Sequence, residues 1–156
     1  MKKTRKLLRH WTIPVSAFVF GILLFIDQYT KHVISTGYAI GESTTIFSWL
    51  WFTYLQNTGA NWGIMQNNNT LFIFLSIVAF AVLVYYAHDF RTPVERLSYA
   101  AILAGLWGNL LDRVTHGFVI DFIDLGWWPV FNVADSAILV GIFVYLFHQW
   151  RKARKA

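Results

Sequence analysis

The sequence contains no cysteine among its 156 residues. That excludes a disulfide framework, thiolate metal sites and a cysteine nucleophile. Charge is scarce as well: 13% of residues are Asp, Glu, Lys or Arg, against roughly a quarter in a soluble globular domain. There is no internal repeat and no low-complexity segment. The five histidines, at 10, 32, 88, 116 and 148, are scattered, without the paired spacing a zinc protease needs.

What remains is strongly apolar. Hydrophobic residues make up 56% of the chain, with 14 Phe, 8 Trp and 7 Tyr, and the mean hydropathy is +0.47. Four stretches stand out, at 11–30, 71–87, 93–111 and 134–150. Crossing a ~30 Å hydrocarbon core takes about 20 residues, so each reads as a span once its flanks are counted. The third is the least regular, because Glu95 and Arg96 lie at its start. Pro93 suits a first helical turn, and Arg96 can snorkel to the interface. Residues 36–70 mix aromatic and β-branched residues with turn formers, which predicts short strands near the headgroup zone. Residues 113–133 read as a second loop. The expected architecture is an all-α membrane protein of four transmembrane helices with a small extracytoplasmic β-rich segment. Residues 1–156 form a single membrane-embedded domain in this reading.

The basic residues give the orientation. Lys2, Lys3, Arg5, Lys6 and Arg9 precede the first span, Arg91 and Arg96 lie between the second and third, and Arg151, Lys152, Arg154 and Lys155 follow the fourth. Eleven of the 13 therefore share one side, leaving Lys31 and Arg113 opposite. The positive-inside rule makes both termini cytoplasmic. The net charge of +5 then reports topology, and no nucleic-acid partner is expected. No small-residue cleavage site follows the first apolar run, so no cleaved leader is expected either.

Six of the eight acids fall on the outer side, three of them beside apolar helices: Asp112 in GNLLDR, Asp121 in GFVIDFID and Asp135 in FNVADS. An ionisable group in such a setting is a functional-site hypothesis by default. Ala101, Ala104, Gly105 and Gly108 form a small-residue stripe that permits close helix approach. On the helical period, Gly105, Gly108, Asn109 and Asp112 share one face. Arg113 is expected to pair with Asp112 as a buried ion pair that fixes the loop, and Asp124 reads as a turn acid before Gly126. Asp135 opens a helix, where a carboxylate has an ordinary stabilising role. What favours chemistry is that these acids lie in pieces joined to the third and fourth spans, where one site can gather them.

Other chemistries fit less well. A serine protease needs a base beside its serine, and Ser136 reads as a helix-start residue. The G-x-G-D piece of presenilin-type proteases is missing. A proton-coupled transporter would hold acids near mid-span on broken helices, and a purely structural subunit would use polar residues only to join helices. Here the acids gather at the outer ends of the spans.

Five motifs in order carry a specific resemblance: DQYTK at 27–31, NTGANWG at 57–63, GLWGNLLDR at 105–113, GFVIDFI at 117–123 and FNVADS at 131–136. Together they resemble lipoprotein signal peptidase, also called signal peptidase II, over nearly the whole chain. The resemblance implies an aspartic endopeptidase of the bacterial inner membrane, multi-pass, with its active site at the outer face. Its catalytic dyad would fall on Asp121 and Asp135. Substrate-binding or dyad-supporting positions would be Asp27, Lys31, Asn57, Gly105, Asn109, Asp112, Arg113, Asn132 and Ala134. The implied substrate is a prolipoprotein cut before its diacylglyceryl-modified Cys, with membrane lipid as the other partner. No metal or other cofactor is implied, and the enzyme is expected to act as a monomer. Three positions depart from the family pattern: Asn61, Gly63 and Trp107, which bear on groove shape and substrate fit.

Overall fold

A computed structural model describes residues 2–59 and 68–155, without the side chains of residues 2–13. Two of the three departures, Asn61 and Gly63, lie outside the described residues. Among the described residues four α-helices and three strands follow one another, with a 3-10 turn at Ala87–Asp89 between the second and third helices: α1 (Lys2–Gly37), β1 (Ser43–Phe47), β2 (Leu50–Asn57), α2 (Asn69–Tyr85), α3 (Pro93–His116), β3 (Val119–Asp124) and α4 (Val133–Ala153). The protein is mostly helical, with one antiparallel sheet in the order β1-β2-β3. Helix α3 is central and packs against α1, α2 and α4.

Among the described residues, two helices are long and apolar enough to cross a membrane by length and composition. They are the Pro14–Gly37 part of α1, with mean hydropathy 1.3, and α4, with 1.4. Helix α2 is apolar but has 17 residues. Helix α3 has 24 residues, and its charged ends (Glu95 with Arg96, Asp112 with Arg113) lower its apolar character. Glu95 is buried, and the reason is local. It is the third residue of a capping box in which Thr92 Oγ1 accepts from Glu95 N at 3.2 Å and Glu95 Oε2 accepts from Thr92 N at 2.8 Å. Its other oxygen accepts from Gln149 Nε2 of α4 at 3.0 Å. A charge that looked awkward for a span therefore ties α3 to α4. Large apolar side chains such as Phe18, Phe25, Phe74, Leu139 and Phe143 are exposed around the helices. A monomer in water does not support so extensive an apolar surface; hydrocarbon does.

Close packing of α3 on α4 depends on glycine. A Cβ at Gly105 would run into the Ala134 carbonyl oxygen, and one at Gly141 would stand 2.8 Å from Ile102 Cγ1 and 2.9 Å from Ser98 O. The predicted small-residue stripe thus meets a helix that also contributes a glycine.

The second loop is not wholly loop. Val119–Asp124 is β3, paired with β2. Its first four residues are all buried, which is why VIDFID shows no apolar–polar alternation in sequence. Gly117, in the left-handed region at φ 84°, ends α3 and turns the chain into this strand.

The ends of α1, α3 and α4 nearest β3 are joined by one buried ion cluster. Lys31 Nζ lies 2.9 Å from Asp27 Oδ2 and 2.9 Å from Asp112 Oδ2, and all three residues are 1% exposed. The remaining carboxylate oxygens reach outward: Asp27 Oδ1 accepts from Ala134 N at 2.8 Å, and Asp112 Oδ1 from Gln28 Nε2 at 3.0 Å. Asp112 Oδ2 also accepts from Ile120 N at 3.2 Å. Helices α1, α3 and α4 and strand β3 all meet there. The expected Asp112–Arg113 pair is therefore corrected: the partner of Asp112 is Lys31. Consecutive helical residues diverge by about 100°, so Arg113 points elsewhere.

Removing the only cation from a buried cluster strands its acids, at a cost of about 3–5 kcal/mol. Lys31→Met is accordingly expected to be the most destabilising change here, read as thermal unfolding in detergent. Asp112→Asn should cost less, because Lys31 keeps Asp27. The pair Lys31→Met with Asp112→Asn should recover stability relative to Lys31→Met alone, whereas pairing Asp112→Asn with Arg113→Gln should recover nothing. The opposite pattern would restore the Asp112–Arg113 partnership.

Candidate active site

Strands β2 and β3 build one half of the site. Side chains alternate across a strand, so Ile120 and Phe122 join Ile34 and Tyr54 in the core, while Val119 and Asp121 face a common cleft. Asn57 stands opposite Val119 in the register, and its Nδ2 donates to Asp121 Oδ2 at 2.9 Å.

Helix α4 supplies the other half. Phe131 pairs with Ile123, accepting from Ile123 N at 2.7 Å and donating to Ile123 O at 3.1 Å. The chain between them turns through Gly126, at φ 76°, whose N–H donates to Asp124 Oδ1 at 2.8 Å. Asp124 is thus a turn acid, as its sequence context suggests. The next residue after Phe131 is Asn132, which caps α4. Asn132 Oδ1 accepts from Asp135 N at 2.8 Å, and Asp135 Oδ2 accepts from Asn132 N at 3.3 Å. The same Asn132 side chain donates through Nδ2 to Asp121 Oδ1 at 2.7 Å. One buried amide therefore links both aspartates.

Three asparagines surround the pair, and donor-only groups fix the orientation of each. An ammonium or a backbone N–H cannot accept a hydrogen bond, so the amide atom facing it must be oxygen. Asn109 Oδ1 faces Lys31 Nζ at 3.0 Å, Asn57 Oδ1 faces Gly59 N at 3.0 Å, and Asn132 Oδ1 faces Asp135 N. Each NH₂ is thereby turned toward a carboxylate: Asn109 to Asp135 Oδ1 at 2.7 Å, Asn57 and Asn132 to Asp121. The ion cluster thus sets the hydrogen bonding of Asp135 through Asn109.

The resulting cleft, of about 250 Å³, is lined by Asn57, Phe72, Asn109, Arg113, Asp121 and Asp135 among others. Arg113 donates to the carbonyls of Asn109 at 3.4 Å and Gly59 at 3.3 Å, and its guanidinium lies 5.3 Å from the centre of the Phe72 ring. Its Nε is buried without a hydrogen-bond partner among the described residues. Asp121 is 2% exposed. Burial first, and the neighbouring Asp135 carboxylate second, push it from its ordinary 3.8 up to about 7, against the hydrogen bonds of Asn57 and Asn132 and the charge of Lys31. An acid that holds its proton near neutral pH, beside a second carboxylate, is suited to acid–base work on a bound substrate.

The residues singled out in sequence thus divide into three groups. Asp121, Asp135, Asn57, Asn109 and Arg113 line the cleft, with Asn132 buried between the acids. Asp27, Lys31 and Asp112 form the ion cluster behind it. Gly105 and Ala134 form the α3–α4 contact. Gln28 was passed over, although it donates to both Asp27 Oδ2 at 3.1 Å and Asp112 Oδ1; its place inside DQYTK was the available signal. Gly108 is equally constrained, since a Cβ there would stand 2.5 Å from Asp27 Oδ2. Trp107, the described departure, packs on Phe80 of α2 with ring centres 5.3 Å apart; it is not among the residues lining the cleft. Among the described residues no three His, Asp or Glu side chains are grouped to hold a metal ion.

Comparison with known proteins gives the family. The family model described as signal peptidase (SPase) II matches residues 19–151. A lipoprotein signal peptidase of Syntrophomonas wolfei is 42% identical over 124 residues, covering 78% of this chain and 83% of that protein. One from Actinobacillus succinogenes is 35% identical over 99% of this chain and 97% of that protein. A bacterial membrane enzyme solved by the in meso method at 2.3 Å superposes with a TM-score of 0.85, at 30% identity and 90% coverage of both chains. The chain belongs to the signal peptidase (SPase) II family.

Proposed function

We propose that Asp121 and Asp135 are the catalytic dyad of an aspartic endopeptidase that removes the signal peptide from lipoprotein precursors, cutting before the diacylglyceryl-modified Cys. The observation that carries this reading is the pair of buried acids on one cleft, linked by Asn132 and held as acceptors by three oriented amides. One proton is shared across the pair, because two neighbouring carboxylates do not both ionise easily. One carboxyl of the pair holds that proton at rest. The other, ionised, takes a proton from the attacking water as the water oxygen bonds to the scissile carbonyl carbon, while the protonated member gives its proton to the carbonyl oxygen. As the C–N bond breaks, the proton taken from water passes to the departing amine and the one on the former carbonyl oxygen returns to the dyad as the new carboxyl group forms. Arg113 and Asn57 are placed at the cleft to hold substrate backbone carbonyls.

The same reading covers the membrane. All four helices span the bacterial inner membrane, with α2 and α3 completed by their flanks, and the chain acts as one monomeric peptidase domain. Both termini are cytoplasmic and the dyad is at the outer face. The lipid of the substrate stays in the bilayer while water reaches the peptide. The gathering of eleven of the 13 basic residues at the end away from the dyad supports this polarity.

Asp121→Asn and Asp135→Asn should each reduce cleavage of a diacylglyceryl prolipoprotein by about a thousandfold or more, and the double variant should be little worse, since a unit is lost in every case. Asp124→Asn should remain active. Near-normal cleavage by Asp121→Asn sinks the assignment.

The elevated Asp121 has two pH consequences. The shared proton is lost as pH rises through about 7, so kcat/KM should fall on an alkaline limb near there. For stability the folded protein binds a proton that the unfolded chain releases between 3.8 and about 7. That contribution is complete at low pH and lost as pH rises through the folded value. Asp121→Asn abolishes it, so this inactive variant should gain stability relative to the parent between pH 5 and pH 8 in thermal unfolding. A constant difference across that range would mean Asp121 titrates normally.

Reporter fusions after Ala156 and near Arg91 should behave as cytoplasmic, and one near Gly126 as external. A cytoplasmic signal at Gly126 would put the dyad on the wrong side.

A further inference from the structure

Asp135 borders two spaces of opposite character. One is the polar cleft already described. The other is a cavity of about 550 Å³ along α4, lined by Trp128, Phe131, Ser136, Ile138, Leu139 and Ile142 among others. Apart from Asp135 and Ser136, its lining is apolar. Residues 135, 138, 139 and 142 follow one helical face, so the cavity descends about 10 Å along α4 from the dyad. It is concave because the loop that carries Trp127 and Trp128 overhangs the helix, together with Phe131. Farther along α4, Phe143, Leu146 and Phe147 are exposed and take no part in the cavity.

We propose that this groove receives the diacylglyceryl chains of the substrate while its peptide lies in the polar cleft. The inference rests on the catalytic reading above and adds where the lipid goes. A thioether-linked diacylglyceryl group sits one residue from the bond being cut, so its chains must begin beside the dyad. They must also stay in an apolar medium. The polar cleft cannot supply one, because an acyl chain there would strip water from Asn57, Asn109 and Arg113 without replacing its hydrogen bonds. The α4 groove is continuous with Asp135 and open to the lipid-facing side of the helix, where Leu139 and Val140 are exposed. Transfer from bilayer to groove gains little free energy, since both are apolar. The groove acts instead by geometry: it lets the chains remain in hydrocarbon contact while the modified Cys is raised to the dyad.

The test uses the full-length protein in lipid nanodiscs and two synthetic lipopeptides of one sequence. One carries dipalmitoylglyceryl-Cys, the other dibutanoylglyceryl-Cys, whose chains end before Leu139. Leu139→Trp and Ile142→Trp, which fill the groove, should lower kcat/KM for the long-chain substrate about tenfold or more. They should change the short-chain substrate by less than about twofold. Leu146→Trp, beyond the groove, should leave both unchanged. A palmitoyl chain bearing a diazirine should label residues 138–142, within the single tryptic fragment 114–151, which has no internal Lys or Arg. Equal loss on both substrates, no loss on either, or acyl labelling confined to α2 overturns the proposal. So does labelling of 138–142 by a diazirine placed in the signal-peptide segment but not by the acyl one. If the unaltered protein cleaves neither lipopeptide, the catalytic reading itself fails and this inference falls with it.

Discussion

A single ammonium, buried and 1% exposed, organises the polar end of this protein. Lys31 has three hydrogens and three acceptors: Asp27, Asp112 and Asn109. Each acceptor belongs to a different mechanical connection. Asp27 reaches the backbone N–H of Ala134 in the first turn of α4. Asp112 reaches the N–H of Ile120 in β3, next to Asp121. Asn109, its oxygen held by the ammonium, has no choice but to present its NH₂ to Asp135. The positions of both proposed catalytic acids therefore trace back to one cation on α1. Burying such a cluster is costly and seldom the most stabilising solution available. Its value here is specificity, because it admits one arrangement of three helices and a strand.

Glycine makes that arrangement sterically possible. Gly108 leaves room for the Asp27 carboxylate, and Gly105 lets the backbone of α3 approach the carbonyl of Ala134. Without hydrophobic drive between helices in lipid, association depends on packing and on polar contacts of this kind. The two ends of the α3–α4 pair are then fixed separately, by the ion cluster at the dyad end and by Glu95 with Gln149 at the other. Helix α2 differs in kind. It has no fully buried residue and meets α3 through half-buried contacts such as Phe80 with Trp107 and Asn69 Nδ2 with Arg113 O.

Much of this was legible in the sequence, for physical reasons that also explain what was not. Hydrophobic runs long enough to approach the thickness of a bilayer located all four helices. The strand-forming composition of residues 36–70 anticipated β1 and β2. Strand β3 was hidden because both its faces are covered, which erases the period of two. The partner of Asp112 was missed because sequence adjacency favours Arg113, whereas the true partner is 81 positions away on another helix. Motif resemblance set Asp121 and Asp135 apart from the supporting acids Asp27 and Asp112, but it could not say that those two share Lys31. Gln28 shows the same limit: it lies inside a motif, yet its role appears only when α1 is laid against α3.

The two groups of acids illustrate how environment separates identical side chains. Asp27 and Asp112 are as buried as Asp121, but each has an ammonium at 2.9 Å and a backbone N–H to complete its shell. Asp121 has amide donors and a second carboxylate as neighbour, and burial together with that carboxylate pushes it up to about 7. By lending Lys31 to Asp27 and Asp112 and only its amide intermediary to Asp135, the fold leaves the cleft with an acid that is uncomfortable in its charged form. That discomfort is a cost in stability, and under the proposed catalytic reading it makes a proton available where the peptide bond would lie.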